Sequence, residues 1–310
     1  MIVTVTLNPS LDRTLHVDRL RAGSVLRTTE PTLEPGGKGV NVTRALTANG
    51  IASVAVLPVG GGEGAELSRL LEAANVHAHF VPVAARTRSN ITVAEHDGTI
   101  TKLNEPGFPL TADDVETLTR VLRAIVSPRD WVVVSGSVPP GFTGAQLSAL
   151  INGLTASEAH LAIDTSGDAL VASLAARPRL IKPNRAELSE LVGRPLDSIA
   201  DVVAAAEQVR SEGIELVLVS LGADGAVLVG ESHVAEPRST VGAGDSFLAG
   251  FLVRFSQNEN DIEGALAEAL AWGAAATSLP GSAVPGPEDI TRTNVQLVSR
   301  PDLDRPLLAS

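Results

Sequence analysis

Short apolar runs alternate with segments whose apolar residues recur at helical spacing along most of the 310-residue chain. Strands are expected at 2–7, 53–58, 79–83, 131–135, 160–164, 179–182 and 216–220. Amphipathic helices are expected between them, near 39–49, 63–74, 111–126, 143–152, 184–192 and 199–211. The runs 131–135 and 216–220 are almost unbroken apolar, the pattern of strands covered on both faces in a parallel sheet. Further on, 226–229 and 232–236 read as a hairpin, and 242–256 and 261–278 as long helices. This order predicts an α/β fold, helices layered on a mostly parallel central sheet with right-handed crossovers.

Two segments break the rhythm. Residues 11–35 and 86–107 carry alternating or polar strand patterns with no helix between them. They are expected to leave the core and form a small projecting β-sheet over the site. The core is then 1–10, 36–85 and 108–310. One face of such a sheet is apolar, and a second subunit is the simplest cover for it, so a homodimer through this lid is expected.

Composition narrows the partners. A formal charge of −12 argues against nucleic acid or an anionic membrane surface, so any phosphate site must be built locally. Lysine occurs only at Lys38, Lys102 and Lys182, and two of these lie in glycine- or proline-rich motifs. No cysteine is present, which excludes disulfides and thiolate metal sites. Residues 1–7 read as a strand rather than a basic leader, no run approaches eighteen apolar residues, and the expected location is the cytoplasm.

The densest chemistry lies in Thr240-Val241-Gly242-Ala243-Gly244-Asp245-Ser246-Phe247, a glycine turn opening an apolar helix. Free N–H groups and the positive dipole end at such a helix start attract anions. Gly242, Ala243 and Gly244 allow close approach of a phosphate, and Asp245 stands where it could take a proton from an attacking hydroxyl. A plain capped helix fits the same pattern. Pro35-Gly36-Gly37-Lys38-Gly39-Val40-Asn41-Val42 joins another glycine turn to a helix with a cation inside it. It is not a Walker A loop, since Gly39 follows Lys38.

Arg86 and Arg88 alternate on a strand-like segment and suit bidentate phosphate contacts, or else a solvated edge. In Lys182-Pro183-Asn184-Arg185-Ala186-Glu187, Asn184 and Glu187 share a helix face and suit Mg²⁺, or equally form a capping box. Leu221-Gly222-Ala223-Asp224-Gly225 lies under a nucleotide or is only a hairpin turn. Gly60-Gly61-Gly62-Glu63-Gly64-Ala65 matches a dinucleotide fingerprint in form, but no acid ends the next strand, so it reads as a decoy. Asn8 to Asp12, Gly136-Ser137, Asp164 to Gly167, Lys182 to Glu187 and Leu221-Gly222 all follow strands. Ligands of open parallel sheets bind at those ends.

Together these motifs resemble the PfkB (ribokinase-like) family of sugar kinases, in order and over nearly the whole chain. The resemblance runs through Thr6 to Asp12, Pro35 to Val42, Thr87 to Asn90, Val134 to Gly141, Lys182 to Leu188, Ser220 to Gly225 and Ser239 to Phe247. It implies a three-layer ribokinase-like fold with a β-lid and dependence on ATP and Mg²⁺. Asp245 would be the base, and the amides of Gly242, Ala243 and Gly244 an anion hole. Asp12, Gly37, Lys38 and Asn41 would hold the sugar, and Arg88, Asn90 and Ser137 its existing phosphate. Lys182, Asn184, Ser220, Gly222 and Gly225 would face the nucleotide, with Asn184 and Glu187 organising the metal through water.

The branch most resembled acts on sugars that already carry a phosphate. The expected substrate is fructose 1-phosphate; tagatose 6-phosphate and fructose 6-phosphate stay open, and a non-catalytic sugar-phosphate sensor is the remote alternative. The segment 60–64 departs from the family spacing and leaves its loop shape open.

Overall fold

The structure is a computed structural model describing all residues except 29–30, 156, 231–232, 239–243, 280, 292–295, 299–302 and 309–310, and not the side chains of 155, 233–238 and 296–298. In chain order the first elements are β1 (Ile2–Val5), β2 (Ser10–Val17), β3 (Thr32–Gly36), α1 (Lys38–Ala48), β4 (Ser53–Val59), α2 (Gly61–Ala73) and β5 (Ala78–Pro82). Next come β6 (Arg88–Glu95), β7 (Ile100–Asn104), α3 (Ala112–Ile125), β8 (Trp131–Ser135), α4 (Gly144–Thr155), β9 (His160–Asp164), α5 (Gly167–Leu174) and β10 (Leu180–Ile181). The last are α6 (Arg185–Val192), α7 (Ile199–Arg210), β11 (Leu216–Ser220), β12 (Ala226–Gly230), β13 (His233–Arg238), α8 (Gly244–Gln257), α9 (Ile262–Thr277), α10 (Pro287–Thr291) and β14 (Gln296–Val298).

Ten strands form the central sheet in the order β14-β13-β12-β11-β10-β9-β8-β1-β4-β5. It is parallel from β5 to β11 and antiparallel beyond. Side chains of a strand alternate between faces, so one strand feeds two cores. Along β8, Val132 and Val134 pack with Leu118, Leu122 and Ile151, while Trp131 and Val133 pack with Phe247, Phe251 and Leu270. The result is the three-layer arrangement expected, each buried Leu or Phe contributing about 1.5–3 kcal/mol.

Gly250 sets the spacing of α8 against α9. A Cβ there would sit 2.8 Å from both the Glu268 carbonyl oxygen and Trp272 Cγ. No described helix is long and apolar enough to cross a membrane.

A second sheet has the order β3-β2-β6-β7, built from the two segments that lacked helices. Strands β2 and β6 run parallel, pairing Asp12 with Asn90, and β2 pairs Ser10 with Gly36 on β3. On β7, Ile100 and Leu103 are 60% and 59% exposed, and Val25, between β2 and β3, is 90% exposed.

Several elements differ from expectation. Helices α5 and α10 and strand β14 were not foreseen, and the strand expected at 179–182 is only two residues long. Pro183 has no N–H to continue a ladder, which ends that strand early.

Candidate active site

The parallel strands deliver their following residues to one edge of the sheet, and β1 and β8 are the neighbours between which chain direction across the sheet reverses. Four groups of predicted residues assemble there. Asp245 lies in the first turn of α8, half-buried, where its carboxylate accepts a hydrogen bond from Asn41 Nδ2 at 2.9 Å. Arg44, one turn beyond Asn41 on α1, donates to Asn41 Oδ1 at 3.2 Å. A guanidinium can only donate, so it fixes the amide with its NH₂ toward Asp245. Arg44 is held in turn by the carbonyls of Pro35 and Ser282. A cavity of about 320 Å³ opens beside Asp245, lined in part by Asn41, Ser246, Ser282 and Val284.

Two of the three lysines meet at one fully buried carboxylate. Lys38 Nζ lies 2.9 Å and Lys182 Nζ 3.3 Å from Asp164 Oδ1, and Ser135 Oγ donates to Oδ2 at 3.4 Å. Burial opposes the charge on Lys38, yet Asp164, Glu187 and Asp245 outweigh it and raise its pKa. A Cβ on Gly244 would stand 3.3 Å from Lys182 Nζ, so glycine there lets the helix start approach the ammonium.

Asp245 is the counterpart. Burial first, then repulsion from Asp164, raises its pKa from 3.8 to about 6, against the pull of Asn41, Lys182 and Lys38. Such a carboxylate is still mostly ionised at neutral pH and is a stronger base than an ordinary aspartate.

On the lid side, Asp12 accepts hydrogen bonds from Ser10 Oγ at 2.7 Å and Asn90 Nδ2 at 2.8 Å. The buried Asn90 Oδ1 has no hydrogen-bond partner. Gly36 faces the Asp12 carboxylate so closely that a Cβ would collide with it. Gly37, at φ 117, turns the chain into α1. Arg88 donates to the carbonyls of Asn8 at 3.2 Å and Glu105 at 3.0 Å, which leaves further guanidinium donors free of these contacts. Asn8 Nδ2 reaches the exposed Ser137 Oγ at 3.2 Å.

On the far side, Asn184 and Glu187 form the capping box: Glu187 N–H donates to Asn184 Oδ1 at 2.9 Å, and Asn184 N–H to Glu187 Oε2 at 2.8 Å. Asn184 is bridged to Ser220, and Gly222 and Gly225 hold the next turn with φ of 61° and 97°.

Two expectations are revised and one falls outside the structure. Arg86 does not share a strand with Arg88; it precedes β6 and is tied to Glu63 and Glu105. Residues 60–65 open α2 against the lid, with Thr87 N–H donating to Gly60 O at 2.8 Å; protein fills that turn, as suits a decoy. Gly242 and Ala243 lie outside the described residues. Arg44 was missed, and Asp164 was placed at a ligand-binding strand end without a role of its own. Their signals were faint: an acid ending an apolar strand, and a charge on the buried side of a helix.

The match to known proteins spans the residues of this site. The family model for pfkB family carbohydrate kinases matches residues 5–289. The chain belongs to that family. It is a sugar kinase, a phosphotransferase with an alcohol acceptor. A relative from Haloferax volcanii, "1-phosphofructokinase", is 37% identical over 96% of this chain and 99% of its own. The "ATP-dependent 6-phosphofructokinase isozyme 2" of Escherichia coli is 36% identical over 91% of this chain and 94% of its own. Among solved structures, phosphofructokinase-2 from Escherichia coli superposes with a TM-score of 0.88 at 35% identity, covering 94% of this kinase and 97% of that chain.

Proposed function

We propose that this kinase transfers the γ-phosphoryl group of ATP to fructose 1-phosphate, giving fructose 1,6-bisphosphate and ADP. The observation that carries the reading is the Asp245 carboxylate, oriented by Asn41 at a helix start and flanked by Lys38 and Lys182 on Asp164. The free sugar hydroxyl attacks the γ-phosphorus; its proton passes to Asp245 as the new O–P bond forms. The bond to the β,γ-bridging oxygen breaks, and ADP leaves with that electron pair. Lys38, Lys182 and the helix start offset the negative charge gathering on the transferred group.

Asp12, Gly37, Asn41 and Asn90 hold the sugar in this reading; the unpartnered Asn90 Oδ1 suits a hydroxyl donor. Arg88 and Ser137 grip the phosphate already present. Lys182, Asn184, Ser220, Gly222 and Gly225 face ATP, and Gly242, Ala243 and Gly244 line the anion hole. Mg²⁺, when bound with ATP, neutralises charge on the phosphates. Both capping-box atoms of Asn184 and Glu187 are committed to α6, and among the described residues no three acidic or histidine side chains gather to hold a metal. The donor set therefore fits a water-bridged ion that uses Glu187 Oε1 and the nucleotide, the usual habit of Mg²⁺.

The likeness to the Escherichia coli phosphofructokinase favours fructose 6-phosphate as the second reading, with the same chemistry and a reversed sugar. We read 11–35 and 86–107 as a lid and its exposed Val25, Ile100 and Leu103 as a homodimer contact in a cytoplasmic enzyme. A monomeric mass in solution at working concentration would remove the dimer. The reaction itself is tested by mass analysis of the product from fructose 1-phosphate and MgATP. A ketohexose bisphosphate formed in step with ADP supports it, and ADP without bisphosphate overturns it.

A further inference from the structure

Residues 303–308 rest on the core through Leu307 and add polar contacts that the catalytic chemistry does not require. Ala200 N–H donates to Leu303 O at 2.8 Å, Ile199 N–H to Arg305 O at 3.2 Å, and Leu307 N–H to Asp197 O at 2.9 Å. The segment is thereby laid along the entry to α7. From there it reaches two motifs of the site. Arg305 Nη1 donates to Asp224 Oδ1 at 2.6 Å and Nη2 to the Asp224 carbonyl at 3.3 Å. Leu308 N–H donates to Asp224 Oδ2 at 2.8 Å, while Arg185 Nη1 donates to Leu308 O at 2.7 Å. One residue, Leu308, thus ties the 222–225 turn to the motif that carries Asn184 and Glu187.

The chemistry makes this more than a tether. Asp224 is only 7% exposed, and both its oxygens are engaged by the segment. Charge-assisted hydrogen bonds to a buried carboxylate are among the stronger ones. The turn around it relies on two glycines at positive φ, which are free to adopt other conformations unless held. Among the described residues, none of these hydrogen bonds of the segment runs to Asp12, Asn90 or Arg88.

We propose that residues 303–308 are a clamp that presets the nucleotide side of the site, with Arg305 as its positioning residue. The clamp spares ATP the cost of ordering the 222–225 turn on binding and leaves the sugar side untouched. The proposal rests on reading 182–187 and 220–225 as the nucleotide side.

The test is calorimetric titration with the Mg²⁺ complex of a non-hydrolysable ATP analogue, alongside steady-state kinetics. Arg305→Ala is expected to weaken the analogue about tenfold and raise the KM for MgATP equally, with kcat and the sugar-phosphate KM within about twofold. Arg305→Lys should recover part of the loss, since it keeps one charged bond to Asp224. Arg305→Ala combined with Asp224→Ala should bind no worse than Asp224→Ala alone, because the pair acts as one unit. Unchanged analogue binding in Arg305→Ala overturns the clamp while leaving the kinase reading intact. Equal rises in both KM values overturn it too, as the mark of a merely structural strap. Failure of the wild-type protein to bind the analogue overturns the nucleotide assignment and the clamp together.

Discussion

Replacing Asp245 with asparagine should cripple the enzyme and stabilise it at once. The fold holds this carboxylate's pKa at about 6 instead of 3.8, through burial and then the charge of Asp164. That difference corresponds to about 3 kcal/mol by which the native state disfavours the ionised group at neutral pH. Asparagine removes the charge but turns an NH₂ toward two lysines, so a net gain of about 1–2 kcal/mol is expected. For a chain of this length that raises Tm by about 1.5–3 °C at pH 8.

The gap must depend on pH with a definite sign. The native carboxyl takes up its proton near pH 6 and the unfolded one only near 3.8. Wild type therefore gains stability relative to the variant as pH falls through that window; the gap closes at about pH 5 and reverses below it. The groups facing Asp245 are Asn41, Asp164, Lys182 and Lys38. Loss of a positioned base lowers kcat by about 10²–10⁴. Thermal unfolding from pH 4 to 8 and turnover under saturating substrates are the assays. A variant less stable than wild type at pH 8, a gap independent of pH, or near-normal turnover would each refute the reasoning.

Other perturbations probe separate links. Arg88→Ala should raise the KM for the phosphosugar about tenfold or more while that for ATP stays within twofold; equal effects on both would argue against a phosphate grip. Arg44→Met frees the Asn41 amide and removes a donor set that orients it, so kcat/KM should fall with its acid limb displaced upward; an unmoved limb would contradict that role. Gly250→Ala crowds Glu268 and Trp272 and should cost about 1–3 kcal/mol in thermal unfolding with kinetics unchanged at 25 °C. Wild-type kcat/KM should fall below about pH 6 as Asp245 is protonated in the free enzyme, and a flat profile down to pH 5 would exclude it as the base.

The sheet was legible because its strands are short, apolar and bounded by glycine and polar turns, as β8 and β11 illustrate. Helix α5 was not, since its eight residues begin in the polar stretch after β9 and offer too few turns for a period to emerge. Within the site, residues adjacent in sequence were readable: the glycine turn with Lys38 and Asn41, and the Asn184–Glu187 pair. Contacts between distant positions were not. Asp164 meets Lys38 across 126 residues, and Arg305 meets Asp224 across 81. Spacing along a chain carries no signal for such pairs: sheet order brings the first together, and the docking of 303–308 on the start of α7 the second. Asn184 also shows one residue fitting two readings: the cap is real, and Glu187 Oε1 lies outside it, 4.0 Å from Lys38 Nζ.

ADP release with MgATP across fructose 1-phosphate, fructose 6-phosphate, tagatose 6-phosphate, fructose and ribose, compared by kcat/KM, decides the substrate. Fructose 1-phosphate is expected to give the highest value. A preference for fructose or ribose would contradict it, since Arg88 and Ser137 would then have no phosphate to hold.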